Sequence, residues 1–241
     1  MLAFYFDPMY FVFVGPAILL ALWAQLRVKS AFASASQIGN ARNMSGAEAA
    51  RRILLNAGID DVGIEESHGM LSDHYDPRAR VLRLSPEVYH GRSLASVGVA
   101  AHEAGHAIQH ACSYSMLRLR SGLVPLASAG GMLSWLFIFG GFVLMSASGA
   151  PGIGQAVLLL GIGLFGLTVL FQIVNLPVEF DASRRAKAVL VDYGIVSPQE
   201  LSPVNSVLSA AALTYVAATL SAVLTLLYYL YRAGLLGGRR D

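Results

Sequence analysis

The sequence predicts an α-helical membrane protein with four transmembrane helices and a smaller α+β domain. Three observations point there. Of the 241 residues, 55% are hydrophobic and only 13% charged, and the mean hydropathy is +0.57. A soluble domain of this length would carry more charge. Uncharged stretches at 8–26, 121–178 and 201–231 supply four crossings, since a bilayer takes about 20 residues per helix. The remaining residues carry short helix and strand signals. A net charge of +2 without a basic run gives no footprint for nucleic acid. A single cysteine, Cys112, excludes an intrachain disulfide and a multi-cysteine metal site.

The first span, 8–26, reads as an uncleaved anchor. Its basic residues, Arg27 and Lys29, follow the apolar stretch, whereas a signal peptide would put them before it. Residues 30–120 form the larger polar region. "SGAE" (Ser45 to Glu48) is a capping box, and the helix it opens stops near Gly58. "VGIEE" (62–66) and "ARVLRLS" (79–85) predict short strands, with "SDHYDPR" a turn-rich loop between them. A second helix begins near Ser93. Residues 121–178 lack charge throughout and are broken by "SASGAPGIG" (146–154), which predicts a hairpin of spans at 123–145 and 153–174. Residues 179–200 form a smaller polar segment ending in a second capping box, "SPQE". The last span is 207–231.

An even number of spans puts both polar regions on one membrane face. Arg27, Lys29, Arg118 and Arg120 flank the larger region, and Arg184, Arg185 and Lys187 lie in the smaller, whereas the 146–154 turn is uncharged. The charge bias predicts a cytoplasmic face, although Arg232, Arg239 and Arg240 oppose it.

Within the second helix, "VAAHEAGHAIQHA" (99–111) contains His102-Glu103-Ala104-Gly105-His106, an H-E-x-x-H motif. Histidines four apart share a helix face, so both can reach one ion. Glu103 lies beside the position left for water, which zinc would acidify and the carboxylate would deprotonate. His110 extends the spacing, but eight residues of helical rise put it about 12 Å from His102, too far to share the ion. The third donor is sought in "NLPVEFDASRRA", where Glu179 opens a predicted helix with an apolar face. Asp181 is its rival. About 200° of helical rotation separates the two, so only one can face the metal.

"DHYDP", "LRLSPEVY", "VAAHEAGHAIQ" and "LPVEFDASRRA" occur in this order around an anchor and a hairpin. Together they resemble the YugP-like family of neutral zinc metallopeptidases from bacterial membranes, over most of residues 40–190. The resemblance implies a Zn2+ enzyme with His102, His106 and Glu179 as ligands and Glu103 as catalytic base. A looser likeness connects the chain to membrane gluzincins such as the CAAX-prenyl endopeptidases, whose third-ligand helix reads E-x-x-x-D. Here Ser183 stands in place of that aspartate, which leaves the partner of the zinc histidines open.

The loop residues His74 and Tyr75 are candidate stabilisers of the transition-state oxyanion, unless the loop is simply a turn. "RVLRL" reads as an edge strand that could pair with an extended peptide, or as an internal strand. The expected whole is an α+β zincin-like catalytic domain on a multi-pass cell-membrane scaffold, hydrolysing peptide bonds at the cytoplasmic surface. Peptides or membrane proteins would be its substrates, the lipid bilayer its surroundings, and a regulatory membrane partner or a second copy its further partners. The alternatives are an intramembrane site-2-type protease using Asp181, and a non-catalytic metal-binding adaptor.

Overall fold

The computed structural model describes residues 7–69, 72–147 and 151–236. The chain divides into two units. One comprises residues 1–22, 119–176 and 215–241, and the other residues 23–118 and 177–214. Among the described residues the helices are α1 (Pro8–Ser36), α2 (Gly46–Asn56), α3 (Pro86–Tyr89), α4 (Leu94–Ala111), α5 (Ser115–Ala147), α6 (Pro151–Asp192) and α7 (Leu201–Arg232). Four of these, α1, α5, α6 and α7, are long and apolar enough to cross a membrane. They correspond to the four predicted spans but extend well past them. Residues 148–150 of the predicted hairpin turn, and Arg239 and Arg240, lie outside the described residues.

In the first unit, α5 and α6 pack through glycines. A Cβ at Gly141 would sit 2.6 Å from the Leu158 nitrogen, and one at Gly161 would sit 2.6 Å from the Ile138 nitrogen. Backbones that approach this closely gain the dispersion contacts that hold helices together in lipid, where water offers no drive to bury them. The start of α1 is tied to the end of α7. Asp7 accepts hydrogen bonds from the Tyr228 hydroxyl at 2.8 Å and from Arg232 at 2.5 Å.

The second unit holds the sheet and the motif helix. Ser45 and Glu48 form the predicted capping box at α2, worth about 1 kcal/mol in comparable helices, and Gly58 adopts a φ of +69° just past the helix end. The strands are β1 (Gly63–Glu66), β2 (His74–Asp76) and β3 (Val81–Leu84), in the order β1-β3-β2. β1 runs parallel to β3, with Gly63 opposite Val81, and β2 runs antiparallel, with His74 opposite Arg83. One expectation changes here and one alternative is decided. The "SDHYDPR" segment is not a loop throughout: its middle residues, His74–Asp76, form a strand, and a turn follows, with Asp76 accepting from the Arg78 and Ala79 N–H groups. "RVLRL" supplies the middle strand, not an edge. Its alternate residues Leu82 and Leu84 are fully buried, so one face enters the core while both edges are hydrogen-bonded.

The core of this unit combines Ile53 and Leu54 of α2, the two leucines of β3, Leu94, Val97 and four alanines of α4, Ala186 and Leu190 of α6, and Val204 and Leu208 of α7. α4 starts at an N-cap, Ser93, whose hydroxyl accepts from the Ser96 N–H. It stops at Cys112. Ser113 takes a left-handed φ of +54°, so the motif helix is separate from α5.

The largest departure from the sequence reading concerns α6. Glu179 is expected to open a new helix after the third span, yet α6 runs unbroken for 42 residues through Pro177. Proline removes the hydrogen bond to the carbonyl four residues back and crowds that carbonyl, a disturbance that membrane helices accommodate when neighbours supply other partners. Glu179 is therefore deep within a helix. At Gly105 α4 meets this helix so closely that a Cβ would lie 2.7 Å from the Ala182 carbonyl oxygen. Gly105→Ala is expected to destabilise the protein by about 1–3 kcal/mol, the usual range for overpacking a tight contact. Thermal unfolding in detergent checks this, and a neutral result would mean the helices separate at little cost.

Candidate metal centre

The motif helix presents His102 and His106 one turn apart, with ring centroids 4.9 Å from each other and planes 83° apart. α6 brings Glu179 to them. Its Oε2 lies 3.3 Å from His102 Nε2 and 3.6 Å from His106 Nε2. Among the described residues, these three form a group whose donor atoms all lie within 4.8 Å of one another. Donors about 2.1 Å from a tetrahedral zinc stand about 3.4 Å apart, so the spacing suits one such ion. Three protein donors leave the fourth position for water or substrate. The donor chemistry, two imidazoles and a carboxylate, is also that of a catalytic zinc site.

Each imidazole is held by its far nitrogen. His102 Nδ1 lies 3.1 Å from Ser183 Oγ, and His106 Nδ1 lies 3.0 Å from Gln109 Oε1. The Gln109 oxygen can only accept, so it fixes the His106 proton on Nδ1 and leaves a lone pair on Nε2, while the Ser183 hydroxyl can accept from the same tautomer of His102. Asp181 faces away from the group. It is buried, accepts from Gln109 Nε2 at 2.9 Å and Arg185 Nε at 2.5 Å, and also pairs with Arg184.

Glu103 is buried next to His102, and β2 packs against its helix. Tyr75 contributes in two ways. Its backbone N–H favours the charged form of Glu103, and its hydroxyl lies 2.7 Å from His110 Nδ1. His110 thus partners a tyrosine and stays outside the donor group. The His74 side chain is exposed, with Nδ1 2.8 Å from the Ser72 carbonyl oxygen.

A family described as "Putative neutral zinc metallopeptidase" matches residues 10–234. The chain belongs to this family. It is 46% identical over 222 residues to the "Putative membrane protease YugP" of Bacillus subtilis (strain 168), covering 92% of this chain and 95% of that protein. No solved structure matches it.

Ser183, which stands in place of the gluzincin aspartate, thus partners His102, whereas the sequence context does not single out Gln109. The signal available was helical phase. Ser183 follows Glu179 by four residues and Gln109 follows His106 by three, so each shares a face with a candidate ligand. Gln109 is moreover wholly buried, an unusual place for an amide without a task.

Burial pushes the Glu103 carboxyl up to about 7, against an ordinary 4.5; His102 opposes the rise, while Glu179 and Asp73 reinforce it. The metal-free folded protein therefore keeps a proton that the unfolded chain has lost between pH 4.5 and 7. Its stability should fall as pH rises through that window. Glu103→Gln removes the charge that burial disfavours. With metal stripped by a chelator, the variant is expected to exceed the wild type by about 3 kcal/mol above pH 7 and to match it below pH 4.5. Thermal unfolding at several pH values tests this. Parallel pH curves for the two proteins would contradict it.

Proposed function

We propose that this protein is a zinc-dependent membrane endopeptidase that hydrolyses peptide bonds at the cytoplasmic surface, on membrane proteins or peptides near the bilayer. The observation carrying this reading is the convergence of three donors, His102, His106 and Glu179, with a buried carboxylate, Glu103, next to them. Zinc held there would supply a Lewis acid that lowers the pKa of water and polarises the scissile carbonyl. Glu103 takes the proton of the attacking water and returns it to the leaving amine. Ser183 and Gln109 keep both histidine rings turned for binding. Of the two oxyanion candidates, His74 is exposed and bonded to the Ser72 carbonyl, and the Tyr75 hydroxyl is engaged by His110; Tyr75 keeps the closer link to the site, through its backbone N–H to Glu103.

The site-2-type alternative needs Asp181 as a ligand. Its carboxylate is instead taken up by Gln109 and two arginines. The motif helix, 18 residues long, is also not among the four apolar spans. A purely metal-binding adaptor would have no need of Glu103, since binding alone requires no base.

The cytoplasmic assignment rests on the basic flanks of the two polar regions. Arg232, which opposes it by position, is paired with Asp7.

Two measurements follow. Glu103→Gln should retain zinc in metal analysis while hydrolysis drops by at least about 100-fold. His102→Ala, His106→Ala and Glu179→Ala should lose the metal as well. Full activity in the Glu103 variant would end the peptidase reading. For topology, single cysteines at Asp60 and Asp192 in a Cys112→Ala background should resist impermeant reagents in intact cells, while one at the exposed Gly152 should react. Labelling of Asp60 and Asp192 positions from outside would reverse the orientation.

A further inference from the structure

We propose that Gln109 and Asp181 form a relay that sets the ring of His106 for metal binding, with Arg185 securing its far end. The inference rests on the zinc reading given above and adds two positioning residues to it. Gln109 has no exposed surface and Asp181 is 5% exposed. Neither polar group can remain there without partners. The Gln109 amide has one on each side. Its Nε2 donates to the Val178 carbonyl oxygen at 2.8 Å and to Asp181 Oδ2 at 2.9 Å. Those two oxygens only accept, so the amide nitrogen must face them. The amide oxygen is then committed to His106 Nδ1, 3.0 Å away, and it can only accept. His106 consequently carries its proton on Nδ1, and its Nε2 lone pair points to the Glu179 side.

Asp181 gives this arrangement its direction. A carboxylate bound to the amide N–H polarises it and makes the opposite oxygen a better acceptor, in the way hydrogen-bond chains strengthen one another in a poorly polar interior. Arg185, 2.5 Å from Oδ2, supplies the positive charge that lets Asp181 stay ionised while buried. The Arg185 guanidinium lies 5.8 Å from the Tyr114 ring centroid, which anchors it. The two candidate ligands on α4 are therefore held unequally. A single hydroxyl, Ser183, faces His102, whereas a charge-backed amide faces His106.

The test measures zinc affinity by chelator competition on the purified full-length protein in detergent. Gln109→Ala should weaken binding about 10–100-fold, the usual effect of removing a partner of a ligand histidine. Asp181→Ala should also weaken it, and the double variant should bind no worse than Gln109→Ala alone, because Asp181 acts only through the amide. The Gln109→Glu variant sets two carboxylates against each other, and adding Asp181→Asn restores a donor. That exchanged pair should bind zinc more tightly than Gln109→Glu alone, a rescue that a merely space-filling role would not give, and it serves as the deciding comparison if the alanine variants do not fold. Wild-type affinity in Gln109→Ala, losses that multiply in the double variant, or no rescue by the exchanged pair would each overturn the relay. A wild-type protein that takes up no zinc would instead remove the metal centre itself, and the relay with it.

Discussion

At Gly105 the motif helix approaches α6 until nothing larger than hydrogen fits against the Ala182 carbonyl. Side chains on two helices ordinarily meet across 8–10 Å between axes. Histidine and glutamate are short for that gap. Bringing the backbones together lets Glu179 Oε2 come within 3.3 and 3.6 Å of two imidazoles, and lets Ser183 and Gln109 reach across to complete the arrangement. The alanines at 100, 101, 104 and 107, all essentially buried, serve the same closeness. A bulky apolar helix would bury more surface and lose the site.

The electrostatics follow from this packing. Two carboxyl groups, Glu103 and Glu179, are buried beside two imidazoles whose outer nitrogens are both hydrogen-bonded. Such a pocket holds more negative than positive charge, and its natural complement is a dication. The countercharge to Asp181 sits on the outer side, where Arg184 is largely exposed. Positive charge is thus kept off the side on which a metal would compete with it.

Much of this was legible from the sequence, for reasons of periodicity. The i, i+4 histidines announce a shared face, and the capping box at Ser45–Glu48 and the cap at Ser93 announce where helices begin. Uncharged stretches of sufficient length announce the spans. What could not be read depended on neighbours. Pro177 signals a boundary in an isolated segment, yet α6 continues through it. "SDHYDPR" has the composition of a turn, but its middle residues, His74–Asp76, gain strand structure by pairing with Val81, Leu82 and Arg83 of β3. The roles of Gln109 and Asp181 lie beyond any local pattern, since the residues are 72 positions apart and meet only once α4 and α6 pack.

The small, buried face of α4 also bears on how such a protein can change over generations. Of its 18 residues, 13 are buried, and one of the few others is His102. Replacements by larger side chains along most of this helix would collide with α2, β2, β3 or α6, and replacements at the polar positions would dismantle the donor set. Little sequence space remains there for adapting to new substrates. Divergence in what is bound would have to accumulate at less buried positions around it, such as the exposed His74 of β2, leaving the motif helix nearly frozen while its surroundings drift.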